Sequence, residues 1–191
     1  MAIQHTLFVS ANRLIKDTAL GQSVDHNLIH PYILLAQDKY IFPALGTDLY
    51  DKLKSDIQGE TLAGAYLTLM QDYIQKSLVW FAFAELIPNI RIRYVNNSII
   101  TMDNEQGTGA SYEDIKPIIN NALDSAEFFK KRMITYLNDN SSSFSEYTSN
   151  TGSDLSPSQS AFYSGINMDS NYSDNKTIQA ILSAAGVKGV C

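Results

Sequence analysis

His26 and His30 stand four residues apart, a spacing that puts both imidazoles on one face of a helix, as two ligands of a metal ion require. Asn27, Leu28 and Ile29 lie between them, no Glu follows the first histidine, and Pro31 distorts the same turn. The pair therefore reads as surface or partner-contacting histidines, with a small metal-dependent hydrolase using His26 and His30 as the lesser alternative. Glu85 is the second candidate. It sits in Val79–Ile87, the most apolar stretch, where a buried carboxylate acquires the raised pKa of a catalytic acid. No second carboxylate or histidine stands at a helpful spacing, and Arg91 and Arg93 are near enough to pair with it, so a structural salt bridge or an interface residue is expected. Gly107-Thr108-Gly109 with Ser111 lacks the Gly-Lys-Ser/Thr ending that grips phosphate and magnesium, and reads as a loop. There is no Gly-x-Ser-x-Gly elbow, and the one cysteine, Cys191, is terminal. No catalytic residue, cofactor or metal is expected; the chain reads as something other than an enzyme.

Charge points the same way. The chain carries 14 Lys and Arg against 20 Asp and Glu, a net charge of −6. An acidic chain is a poor general binder of nucleic acid, because neutralising phosphates needs a basic patch. The one dense basic run, Lys130-Lys131-Arg132, falls on a predicted helix and reads as a solvated face. A single cysteine rules out an internal disulfide framework. The N-terminal residues lack a signal-peptide pattern, and the longest apolar run, Leu78–Ile87, is shorter than the ~20 residues a membrane span takes. The expectation is a soluble protein made in a cytoplasm, with no membrane contact.

These residues must be positioned by helices. Leu7-Phe8-Val9 is a short strand or the lead into a helix, and residues 1–24 stay ambiguous. The first firm helix follows Val24, capped by Asp25 or Asn27. Pro43 suits the first turn of the next, whose Leu45, Leu49 and Leu53 share one side. Gly46 lets a neighbouring segment come close, and Gly59 ends that region. Thr61 to Ile87 is expected as the longest helix, stopped by Pro88. One stripe holds Leu62, Tyr66, Leu69, Tyr73, Trp80, Ala84 and Ile87, and a second holds Leu67, Met70, Ile74, Leu78 and Phe81. Apolar residues over so wide an arc mark a central helix, with Trp80 largely buried. Residues 90–102 alternate and turn at Asn96-Asn97, a β-hairpin pattern. Ser111 and Asp114 are spaced as a capping box for a last helix that ends at Asn138, although Pro117 prefers a later start.

From Asn138 to Asn175 there is no Lys or Arg, and Ser, Asn, Asp, Thr and Gly are broken by single aromatics. A stretch this long with no core of its own is disordered or functional. Spaced aromatics followed by the short apolar helix signal Thr177–Ala185 favour an arm that lies on a neighbouring surface. Phe144, Tyr147, Phe162, Tyr163, Ile166, Met168, Tyr172, Ile178, Ile181 and Leu182 are its candidate partner-contacting residues. The fold class is mainly α: a small helical bundle over 1–140, one β-hairpin near 90–102, and a long extended C-terminal arm over 141–191.

The order and spacing of several segments resemble a known family. Asp25…Pro31-Tyr32-Ile33…Ala36-Gln37 leads into Tyr40-Ile41…Pro43-Ala44-Leu45-Gly46-Thr47-Asp48-Leu49-Tyr50. The Arg93-Tyr94-Val95-Asn96-Asn97 hairpin follows, then Ile115-Lys116-Pro117-Ile118…Ala126-Glu127…Tyr136-Leu137-Asn138. Over roughly 25–140 this resembles the head–tail connector proteins, adaptors or rings, of tailed bacteriophages, most of all those of crAss-like and other Bacteroidetes-infecting phages. Leu45-Gly46…Leu49-Tyr50 is the most specific piece. The resemblance implies a virion subunit, assembled in the host cytoplasm and repeated about twelve times in a ring below the portal. Such a ring extends the DNA channel, carries DNA during ejection without sequence-specific contact, and gives other neck or tail proteins a platform. A cytoplasmic helical adaptor protein is the main alternative.

Overall fold

Short polar residues set the helix starts. In the computed structural model of the chain, residues 5–21, 24–90, 92–95, 98–101, 111–149 and 154–158 are described. The chain divides into two units, Met1–Ala161 and Phe162–Cys191, and the described residues all lie in the first.

Helix α1 (Ala11–Asp17) is capped by the Ser10 side chain, which accepts from the Arg13 amide. Phe8 and Val9, buried just before it, are its lead-in. Helix α2 (His26–Ala36) is capped by Asp25, whose Oδ1 accepts from the Asn27 amide at 2.9 Å. It runs through a π turn (Gln37–Ile41) into the short α3 (Phe42–Leu45). At Gly46 the backbone takes φ +76°, which L side chains disfavour, and the direction changes into α4 (Thr47–Gln58).

Helix α5 (Gly64–Thr68), a second π turn (Leu69–Ile74) and α6 (Gln75–Ile90) form one continuous rod. The expected Thr61–Ile87 helix thus starts later and passes through Pro88. The proline falls in the last turn, where one lost amide bond is a small penalty, and Asn89 Nδ2 reinforces that turn by donating to the Glu85 carbonyl at 3.0 Å. Most of the second predicted stripe, Met70, Ile74, Leu78 and Phe81, is fully buried. Of the first, Leu69 and Ala84 are buried, while Leu62, Tyr66, Tyr73, Ile87 and Trp80 are partly buried and pack at the edge of the core. The π turn inserts an extra residue, and this rotates the second half of the rod relative to the first.

Two short strands, β1 (Ile92–Val95) and β2 (Ser98–Thr101), pair antiparallel with Ile92 opposite Thr101 and Val95 opposite Ser98. Helix α7 (Tyr112–Asp139), at 28 residues, is the longest α-helix among the described residues, a correction to the Thr61–Ile87 expectation. Ser111 and Asp114 form a reciprocal capping box, so the earlier start wins and Pro117 lies inside the helix. Helix α6 packs on both α2 and α7. No helix among the described residues is long and apolar enough to cross a membrane.

The body does not end with α7. A 3₁₀ turn (Ser141–Ser143) leads to α8 (Ser145–Thr148), and Phe144 and Tyr147 enter the main core at 0% and 6% exposure. This corrects two expectations: the body boundary at 140, and partner contact for Phe144 and Tyr147. Phe144 meets Tyr66 edge-on at 5.3 Å and Tyr136 at 5.9 Å, so its apolar ring is already covered by its own chain. Phe162, Tyr163, Ile166, Met168, Tyr172, Ile178, Ile181 and Leu182 lie outside the described residues.

Candidate functional site

Glu85 belongs to a three-residue polar cluster on the α2–α6 seam. Its Oε1 accepts from Lys39 Nζ at 2.7 Å and from the Tyr40 hydroxyl at 2.6 Å. The first π turn supplies both donors, and Tyr40 is held flat on Phe81, with ring centroids 4.0 Å apart. Glu85 therefore pairs across the fold with Lys39 and Tyr40; Arg91 and the Arg93 side chain, the expected partners, lie outside the described residues. Burial pushes the Glu85 carboxyl up, but the hydrogen bonds from Lys39 and Tyr40 outweigh it and leave the pKa below its ordinary value. A carboxylate held ionised is a structural anchor, the reverse of an acid poised to give up a proton at neutral pH.

Gln37, in the same π turn, is a second polar centre. It is fully buried, and its Oε1 accepts from the Phe8 amide at 2.9 Å. Its Nε2 donates to the Thr6 carbonyl at 3.1 Å and to the Tyr50 hydroxyl at 2.8 Å. Tyr50 then donates to Asp38 Oδ1 at 2.9 Å. Burial, helped by Asp38, raises the Tyr50 pKa and keeps the hydroxyl protonated. A small cavity of about 230 Å³ lies beside this network, lined by His5, Thr6, Leu34, Gln37, Asp38, Tyr50 and Lys54. Sequence periodicity did not single out Gln37; its only signal is a glutamine at the inner edge of an apolar helix face.

Gly46 receives a strap from the C-terminal side. The Thr47 amide donates to the Leu155 carbonyl at 3.0 Å, the Leu155 amide to Thr47 Oγ1 at 3.0 Å, and the Ser158 amide to the Pro43 carbonyl at 2.8 Å. A Cβ on Gly46 would stand 2.7 Å from Pro157 Cδ and Cγ. The close approach expected at Gly46 is thus made by a proline ring some hundred residues later in the chain.

The outer face of α7 carries an open groove of about 470 Å³, lined by Tyr73, Phe128, Lys131, Arg132, Thr135, Tyr136 and Asp139. Tyr73 and Tyr136 stack at 4.2 Å, and the Arg132 guanidinium stands 6.0 Å from the Tyr73 ring centroid. The basic run 130–132 is split by the helix: Lys131 and Arg132 are exposed, whereas Lys130 is buried, 3.7 Å from Glu127 and over the Phe81 ring. This corrects the reading of the run as one solvated face; its residues fall on different sides of the helix. Burial raises the Glu127 pKa, and Lys130 offsets this only in part.

His26 and His30 are both exposed on α2. Among the described residues no group of three His, Cys, Asp or Glu side chains is placed to hold a metal ion. Gly107 and Gly109 lie outside the described residues, and Ser111 serves as the α7 cap.

No curated protein and no solved structure matches the chain. A family profile does match, over residues 41–156, more than half of the chain and a span that runs from the last π-turn residue before Gly46 to the strap that covers it. The chain belongs to DUF6712, a family of unknown function.

Proposed function

We propose that the chain is a structural subunit of the head–tail connector ring of a tailed bacteriophage, docking below the portal, extending the DNA channel and giving tail proteins a platform. The observation that carries this reading is a pair of apolar faces on different helices. Leu28 and Leu35 on α2 are 40% and 45% exposed, and Ile118 on α7 is 49% exposed. A subunit repeated around a ring needs two different surfaces that fit each other head to tail, whereas a monomeric enzyme needs a pocket. The residues on which the resemblance to connector proteins rests have structural places in the fold. Asp25, Gln37, Tyr40, Gly46 and Tyr50 cap, cross-link or redirect the helices of the body. The resemblance therefore runs through residues that build the structure.

On this reading the hairpin near 90–102 and the chain beyond Ser158 reach neighbouring subunits, the portal and other neck or tail ring proteins. Phe162, Tyr163, Ile166, Met168, Tyr172, Ile178, Ile181 and Leu182 are the contact residues, and about twelve copies close the ring. Mass photometry of the purified full-length chain, alone and with the portal protein of the same genome, is the test. A discrete high-order oligomer is expected in at least one sample, and a monomer in both sinks the reading. The aromatic groove on α7 favours a second reading, a cytoplasmic helical adaptor, which the same measurement separates by its low mass.

A further inference from the structure

The groove on α7 is unusual for the charge it leaves unanswered. In a chain with a net charge of −6, six basic side chains among the described residues, Arg13, Lys39, Lys52, Lys54, Lys76 and Lys130, stand within 4.0 Å of a carboxylate. Four exposed basic side chains, Lys16, Lys116, Lys131 and Arg132, have no such ion pair among the described residues, and of these Lys131 and Arg132 stand side by side at the groove. Beside them Phe128 is 59% exposed, the most exposed large apolar side chain described. The stacked Tyr73 and Tyr136 line the same groove. Phe128, Lys131 and Arg132 recur at i, i+3 and i+4, so one turn of helix presents an aromatic ring and two cations together.

We infer that this groove receives an acidic segment bearing an aromatic side chain from a second protein chain. The occupant's ring packs against Phe128 and the tyrosine pair, and its carboxylates meet Lys131 and Arg132. Charge complementarity selects a peptide over a nucleic acid: the two cations answer a pair of carboxylates, while a run of phosphates needs a longer basic track than one that ends at Asp139. The inference goes beyond the ring reading and does not depend on it, because it concerns a direct binding event on a single subunit.

Fluorescence anisotropy of the full-length chain with a short fluorescein-labelled peptide of Asp, Phe and Ser is the test. Saturable binding that weakens as salt is raised is expected. Phe128→Ala should weaken it about tenfold or more, as truncating a central aromatic anchor does. Lys131→Glu with Arg132→Glu should abolish it, and Lys16→Glu, at an exposed lysine on α1, should leave it unchanged. The same peptide with every Asp replaced by Asn should lose binding to the wild-type chain, a measurement independent of how the variants fold. Absence of saturable binding, indifference to the groove substitutions, equal binding of the Asn peptide, or displacement by a single-stranded oligonucleotide would each overturn the inference.

Discussion

Glu85 and Glu127 are both partly buried, yet their proton affinities move in opposite directions. Two donors at 2.6 and 2.7 Å hold Glu85 ionised, while Glu127 has only Lys130 at 3.7 Å and one buried oxygen without a hydrogen-bond partner. A carboxyl whose folded pKa is lowered stabilises the fold above its unfolded pKa, ordinarily about 4.5, and loses that contribution as pH falls through the folded value. Glu85→Gln should therefore lower the melting temperature at neutral pH, with the gap to wild type closing in acid below the ordinary carboxylate range. A gap that stays constant down to that range would show that the Lys39–Glu85 pair does not set it. At the alkaline end Tyr40, pushed up to about 12 first by burial and then by its bond to Glu85, favours the fold below its ordinary value of 10.0. Gln37 makes a sharper prediction. Gln37→Leu strands the buried Phe8 amide and removes one bond each from the Thr6 carbonyl and the Tyr50 hydroxyl, and should cost about 2–3 kcal/mol in urea unfolding. A variant as stable as wild type would mean that the network contributes nothing net. Phe81→Ala, at 0% exposure, should cost about 3–5 kcal/mol, and Trp80→Ala, half-buried at the edge of the core, distinctly less.

The last helices decide where the body stops. Cutting the chain after Asn140 removes Phe144 and Tyr147 from the core and the Glu146 carboxylate from the Tyr66 hydroxyl at 2.6 Å. Such a truncation should lower stability by several kcal/mol, since each buried aromatic is worth about 3–5. Truncation after Ser158 keeps both rings and the strap, and should melt close to wild type. If the shorter fragment is as stable as the longer, the core role of α8 fails. The strap has its own test. Gly46→Ala meets both an unfavourable φ of +76° and the Pro157 ring, and should cost at least about 1–3 kcal/mol from the backbone alone. Adding Pro157→Gly should recover only the part due to collision; full recovery would mean that φ carries no strain, and no recovery that the ring does not press on this site.

At the scale of the whole molecule the proposals concern surfaces. Ring closure predicts that charge placed in an apolar face blocks assembly without unfolding the subunit. Leu35→Lys on α2 should leave the melting temperature near wild type, because Leu35 is 45% exposed, while abolishing the large oligomer in mass photometry. An oligomer that survives Leu35→Lys would remove α2 from the interface.

Several features were legible in the residues themselves. Asp25 and Ser111 cap helices because a short polar side chain beside the first turn answers free amides wherever the chain folds. The buried stripe Met70, Ile74, Leu78 and Phe81 followed from spacing alone. The glycine at 46 announced a close approach, since no other residue accepts both that φ and that contact. The rest depended on long-range partners that local pattern does not carry. Glu85 found Lys39 and Tyr40, more than forty residues away in sequence, because a π turn aims those two side chains at the seam. Pro88 did not end its helix, because a proline in a last turn costs one bond while the surrounding core rewards continuation. Phe144 and Tyr147 sit in a polar, lysine-free stretch that reads as an arm, yet Tyr66 and Tyr136 had left a place for an aromatic ring. Burial is decided by which surface happens to be waiting, and that is known only once the chain has folded back on itself.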